Sequence, residues 1–197
     1  NFIYPIMNIN KITPNINFGA RHVMDMNVGK LNDGKYIQKN VAFVELDPTD
    51  KKDRNALKKI AHDWGYYCFA EDIYNEVNLS LKDNPDKGQV FALTTQARNF
   101  ENLDADAVLG LAEINTKDKK KFHTVYIERL QTNPEYLDAY EKPQYRGIGT
   151  SIHKCLFKEY QGNRITLNSV PLTSVLEHYE KNGYVRRDCS YTFDYDA

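Results

Sequence analysis

From residue 41 onward, the apolar positions switch repeatedly between a spacing of two and a spacing of three to four. Residues 41–46 alternate and are β-branched, which predicts a strand. After Asp47-Pro48, Leu57, Ile60, Ala61 and Trp64 recur at i, i+3, i+4 and i+7, an amphipathic helix that Gly65 ends. Phe69, Ile73 and Val77 predict a second helix to about Asn78, followed by a Pro-Asp-Lys-Gly loop over 84–88. Strands are predicted over 89–95, 108–115 and 122–130, with the lysine run 117–121 as the solvated tip of the hairpin joining the last two. Ile152, Cys155, Leu156 and Tyr160 form one face of a helix over 151–161, stopped by Gly162-Asn163. A strand over 164–170 follows. Leu172, Val175, Leu176 and Tyr179 step by three and four again in a last helix. Ser174 and Glu177 are spaced for a capping box, and Gly183 sits where its C-terminal cap belongs. Residues 184–195 read as one or two closing strands.

Before residue 41 the pattern fails. The segment is Asn-rich without a sustained period, although Asp33-Gly34 is a good two-residue turn and 22–28 and 35–41 read as short strands beside it. The expected organisation is an N-terminal extension over 1–40 and one domain over 41–197.

Composition narrows the function. The chain has 197 residues, 41% hydrophobic and 27% charged, enough for a sizeable core. A net charge of −1 shows no basic footprint, and no apolar run is long enough to span a bilayer, so neither a nucleic-acid nor a membrane partner is expected. Three cysteines, Cys68, Cys155 and Cys189, form no CxxC pair and read as structural thiols of a reducing cytoplasm; no metal is expected.

The chemistry concentrates in Gln144-Tyr145-Arg146-Gly147-Ile148-Gly149-Thr150, between a predicted strand and a predicted helix. That order makes an anion site, because the free amides of the turn and of the first helical turn converge and the helix dipole adds positive potential. A phosphate or pyrophosphate suits it. The stretch has no Gly-Lys-Ser/Thr ending and no third glycine at Ile152, which excludes the Walker loop and the dinucleotide fingerprint.

The remaining Gln-x-x-Gly-x-Gly pattern resembles the pyrophosphate loop of the GNAT superfamily, the acyl-CoA-dependent N-acyltransferases. His178-Tyr179-Glu180-Lys181-Asn182-Gly183-Tyr184 is similar to that family's late signature and follows the loop at about the family's distance. The element order from residue 41 to the end is also the family's. The resemblance implies an α+β fold, a mixed, mostly antiparallel sheet flanked by helices. It implies acetyl-CoA as donor and an amine acceptor, for which the acidic and aromatic composition of 135–141 mildly favours a small cationic molecule. It leaves a homodimer open, as well as a non-catalytic CoA-binding regulatory or interaction domain.

Site roles follow from the same resemblance. Tyr145, Arg146, Gly147, Ile148, Gly149 and Thr150 would hold the pyrophosphate, and Leu130, Gln131 and Thr132 the pantetheine arm and thioester. Tyr179 would serve the leaving thiolate, although it lies on the apolar stripe with Val175 and Leu176, where a tyrosine is equally at home in the core. Glu128 and Tyr126 fall where some members carry a base, on one strand face if the strand is regular. Glu128 reads equally well as a solvent-facing partner of a cross-strand lysine. The chain departs from the family in the insertion 135–143, in Leu172 where an Asn is common, and in residues 1–40.

Overall fold

The computed structural model describes residues 19–65, 69–84, 87–137, 142–187 and 191–197. Cys68, Cys189, Tyr140 and the first eighteen residues lie outside them. Among the described residues nine strands form one sheet in the order β6-β1-β2-β3-β4-β5-β7-β9-β8. β1 (Arg21–Asn32), β2 (Lys35–Leu46), β3 (Gly88–Thr94), β4 (Val108–Asn115) and β5 (Thr124–Thr132) run antiparallel. β7 (Arg164–Asn168) pairs parallel to β5. β9 (Thr192–Asp196) and β8 (Val185–Arg186) complete that edge, and β6 (Tyr145–Arg146) clips onto β1.

Strand alternation builds two cores. Val41, Phe43, Phe91, Leu93, Leu109 and Ile114 face α4 (Ile148–Glu159) and α5 (Thr173–Lys181), and Phe43 stacks on Phe91 at 4.9 Å. Ala42, Val44, Val90, Ala92 and Leu111 face α1 (Lys51–Asp63) and α2 (Phe69–Glu76). No helix among the described residues is long and apolar enough to cross a membrane.

Three features differ from the sequence reading. Residues 21–40 belong to the sheet as a hairpin of two twelve-residue strands turning at Asp33 (φ 48°) and Gly34 (φ 76°). Of residues 21–40 only Val28 is buried, so no apolar alternation marks them. The lysine run is not a bare tip. Residues Lys119–Phe122 form a short helix, α3, that sets Lys119 4.8 Å from the Tyr160 ring. The expected Ser174–Glu177 capping box is absent, because Leu172 occupies the N-cap of α5 and offers no side-chain acceptor. Gly183 does close α5, donating to Glu180 O at 3.0 Å while Tyr184 donates to Tyr179 O at 3.1 Å.

One buried acid carries a stability consequence. Asp53 on α1 is fully buried; its Oδ2 accepts from the Asp47 amide at 2.7 Å, and its Oδ1 meets no hydrogen-bond criterion with a partner among the described residues. Burial pushes its carboxyl up to about 6, against the pull of the Asp47 amide. Because the folded value is raised, the stability tied to the protonated form is complete below the unfolded value near 4 and is lost as pH climbs through 6. Asp53→Asn keeps an acceptor without the charge. Urea unfolding should find it more stable than wild type by roughly 1–3 kcal/mol at pH 7.5 and no more stable at pH 4. An equal difference at both pH values would remove the ionisation argument.

Candidate functional site

The sheet opens beside α4. β5 stays paired to β4 to its last residue, Thr132 opposite Gly110, but pairs with β7 only from Thr124 to Ile127. From Glu128 onward β5 has no partner on its β7 side among the described residues, so the two parallel strands part. The cause is local. Glu113 pairs with Arg129 and Ile114 with Ile127, which leaves Glu128 as the extra residue of a β-bulge. The bulge also changes the alternation. Val125 and Ile127 before it, and Leu130 after it, pack toward the α4 core, whereas Arg129 and Gln131 reach toward α2.

The glycine turn stands at the mouth of this opening. Gly147 is the N-cap of α4 at φ 76°, a conformation L side chains rarely adopt, and a Cβ there would meet nothing within 4 Å. The Gly147 carbonyl starts the helix by accepting from the Ser151 amide at 2.9 Å. The amides of Ile148, Gly149 and Thr150 have no acceptor among the described residues, and no side chain caps the helix. The turn is anchored on both sides. Ile148 is buried, and Tyr145 is buried edge-on to Tyr136 at 5.1 Å. The Arg146 guanidinium lies 3.9 Å from the centre of the Tyr36 ring, and Tyr36 donates to Pro143 O at 2.8 Å. A cavity of about 280 Å³ between this turn and the first hairpin is lined by Tyr36, Arg146, Gly147, Thr150 and Lys154. Open amides and two cations suit a diphosphate.

Around the parted strands the expected residues divide between two faces. On the α4 side, Leu130 packs against the core, and Thr132 Oγ1 lies 3.9 Å from where a Gly149 Cβ would be. Tyr179 is half-buried, its ring edge-on to His153 and Tyr184 and tilted on Phe193. Burial raises its pKa, so its hydroxyl stays protonated at neutral pH, and that hydroxyl makes no hydrogen bond among the described residues. On the α2 side, Gln131 Oε1 accepts from the Phe69 amide at 3.4 Å. Tyr126 stands opposite Asn115, and Glu128 accepts from Asn115 Nδ2 at 2.9 Å. Glu128 is exposed, and its cross-strand partner is this asparagine, not a lysine.

Three residues were missed in the sequence. His178 Nε2 lies 3.4 Å from the position of a Gly149 Cβ, nearer to it than Thr132 Oγ1 at 3.9 Å. Burial, with Lys181 adding to it, lowers its pKa, so the ring is neutral at pH 7. In the sequence it stands only as the first residue of the late signature. His153, one helical turn after Gly149, is fully buried, with Nδ1 3.0 Å from Tyr184 Oη and Nε2 unpartnered; burial drives it down to about 3. Glu113 is buried and ion-paired with Arg129, yet burial outweighs that pairing and raises its pKa. The spacing of Gly149 and His153 was a usable signal; nothing in the strand pattern flagged Glu113.

No family model matches this chain, and no curated protein matches its sequence. Solved structures do. AtaT complexed with acetyl-methionyl-tRNAfMet is similar over 79% of this chain and 94% of that one, at 11% identity and a TM-score of 0.51. The chain has the GNAT fold. AtaTR bound with AcCoA is similar over 79% and 92% at a TM-score of 0.47 and 11% identity. The KacTA–DNA complex is similar over 66% and 82% at 0.42 and 14%. The expectation that no nucleic acid is involved is corrected by the first of these, a protein of this fold holding an acylated tRNA. The error has a physical source: net charge averages over the whole surface, whereas a polyanion meets one patch of it.

Proposed function

We propose that this chain is an N-acetyltransferase that moves an acetyl group from acetyl-CoA to a primary amine by direct attack. The observation that carries this reading is the parting of β5 from β7 after four residue pairs, directly beside an uncapped helix N-terminus. The amides of Ile148, Gly149 and Thr150, with Arg146 and Lys154, would hold the diphosphate. The free edge of β5 from Glu128 to Thr132 would pair with the pantetheine arm, and a backbone N–H there would stabilise the developing oxyanion. The amine nitrogen bonds to the acetyl carbon as the carbon–sulfur bond breaks. Its proton passes to Glu128, directly or through water, and the thiolate takes one from Tyr179. Because Glu128 faces the α2 side and Tyr179 the α4 side, the acceptor and the leaving thiol would occupy opposite faces of the sheet.

The acceptor admits two classes. The sequence favours a small cationic amine. The acylated tRNA held by AtaT supports an amine carried on nucleic acid. A non-catalytic CoA-binding domain is the competing reading, favoured by the exposure of Glu128.

A thermal shift with CoA tests the cofactor site. At a hundredfold excess over the dissociation constant it should stabilise by about 2.7 kcal/mol, a rise of several degrees. A flat response removes the CoA reading altogether. A shift without thiol release across a panel of amines, aminoacyl-tRNA included, selects the non-catalytic one.

A further inference from the structure

At the C-terminal end of α4, remote from the glycine turn, a cavity of about 640 Å³ opens between the start of β1, the end of β2, the start of β3 and α3. Its wall carries Arg21, Lys87, Lys117, Lys119 and Lys120 against two carboxylates, Glu45 and Asp47, in a chain whose net charge is −1. Glu45 is already committed. It accepts from Arg21 Nε at 3.0 Å and from Gln89, whose own Oε1 accepts from Tyr160 at 2.7 Å. Arg21 also lies 3.6 Å from Glu159. Among the described residues the four lysines form no ion pair, so their charge is left over.

This cavity adjoins the α2-side pocket of about 350 Å³ that contains Glu128. Lys87 and Gly88 line both. The Lys117 amide donates to Asn115 Oδ1 at 3.0 Å, and Asn115 donates to Glu128 at 2.9 Å. A ligand seated among the lysines would therefore lie next to the pocket of the candidate base.

We infer that the lysine-lined cavity docks the phosphate backbone of an RNA whose end carries the acceptor amine toward Glu128. Docking stands on the charge and shape of the cavity; delivery of the amine rests on the acetyl-transfer reading. The lysines come from two separate segments, one before β3 and one between β4 and β5, and act as point charges in an open cleft. They offer no free guanidinium fork and no convergent amides, an arrangement that tracks a chain of phosphates more readily than it grips one.

Fluorescence anisotropy with a labelled single-stranded RNA of about 12 nucleotides, titrated between about 50 and 200 mM salt, tests docking without CoA or turnover. The double variant Lys117→Glu/Lys120→Glu should bind at least about tenfold more weakly and lose about two from the slope of log affinity against log salt. The same charge reversal at Lys51 and Lys58 on α1 should weaken binding no more than about threefold. Unchanged melting and an unchanged CoA shift confirm that each variant is folded. Several outcomes overturn the inference: no wild-type binding at the lowest salt, equal loss in both variants, tighter binding to duplex DNA of the same length, or displacement by micromolar tripolyphosphate. Intact, lysine-dependent RNA binding without acetyl transfer to any acceptor would sink the enzyme reading and leave the docking surface standing. Transfer that ignores the lysines would do the reverse.

Discussion

Tyr179→Phe should lower kcat by roughly a hundredfold and leave CoA affinity within about twofold, the range expected when a general acid is lost but binding is not. The phenol lies among aromatic rings in a half-buried site that keeps it protonated, and its hydroxyl has no hydrogen-bond partner among the described residues. Removing the oxygen therefore leaves no buried group unpaired and should cost little stability. Turnover in single-acceptor kinetics, alongside a CoA titration, reads the two quantities separately. An unchanged kcat would remove the acid role from Tyr179.

Gly110→Val is expected to damage fold and site together. A Cβ at Gly110 would lie 2.7 Å from Ile152 Cδ1, 2.9 Å from Ile148 Cγ2 and 3.1 Å from Gln131 O. Those atoms belong to the first turns of α4 and to the free strand β5. The absence of a side chain is what lets the helix settle onto β4 with its N-terminus beside the parted strands. Valine should cost about 3 kcal/mol or somewhat more in thermal unfolding, the range of core overpacking, and should weaken CoA binding at least about tenfold by displacing the open amides. Gly88→Ala is the control. Its Cβ would lie 2.8 Å from Leu81 Cδ2 and 3.1 Å from Ile114 O, at the far end of β3. It should lose stability but not CoA affinity. If both variants spare the affinity, the seating of α4 does not set the anion site.

The sequence was most legible where burial imposes a regular apolar pattern, a stripe on a helix or a near-continuous run on a central strand. α1 and α5 end where expected and β3 and β4 lie within a residue of their expected bounds, because Leu57 and Ile60, or Val90 and Ala92, must reach the core beneath them. The first hairpin was illegible in its outer half because Val28 is the only described residue buried there, too few to set up an apolar alternation. The glycine turn was readable as chemistry, since Gly147 and Gly149 stand at a strand-to-helix junction whatever lies around them. The division of the remaining site residues between two faces was not readable. It depends on one extra residue at Glu128, and a strand pattern without its partner strand cannot show where a bulge falls. His178 and His153 belong together only once α5 lies across α4, their rings 5.5 Å apart.

The clasp between β6 and β1 bears on where the working unit begins. Gly29 and Lys30 pair with Arg146 and Tyr145, and the Leu31 amide donates to Gln144 O at 2.8 Å. The glycine turn is thus stitched to residues more than a hundred positions earlier, and one wall of its cavity is the hairpin itself. A chain trimmed back to residue 41 would keep every residue of the glycine signature and lose the scaffold that holds it open. A fragment that retains this scaffold therefore has to include the hairpin from Arg21 onward, upstream of where the hydrophobic periodicity begins.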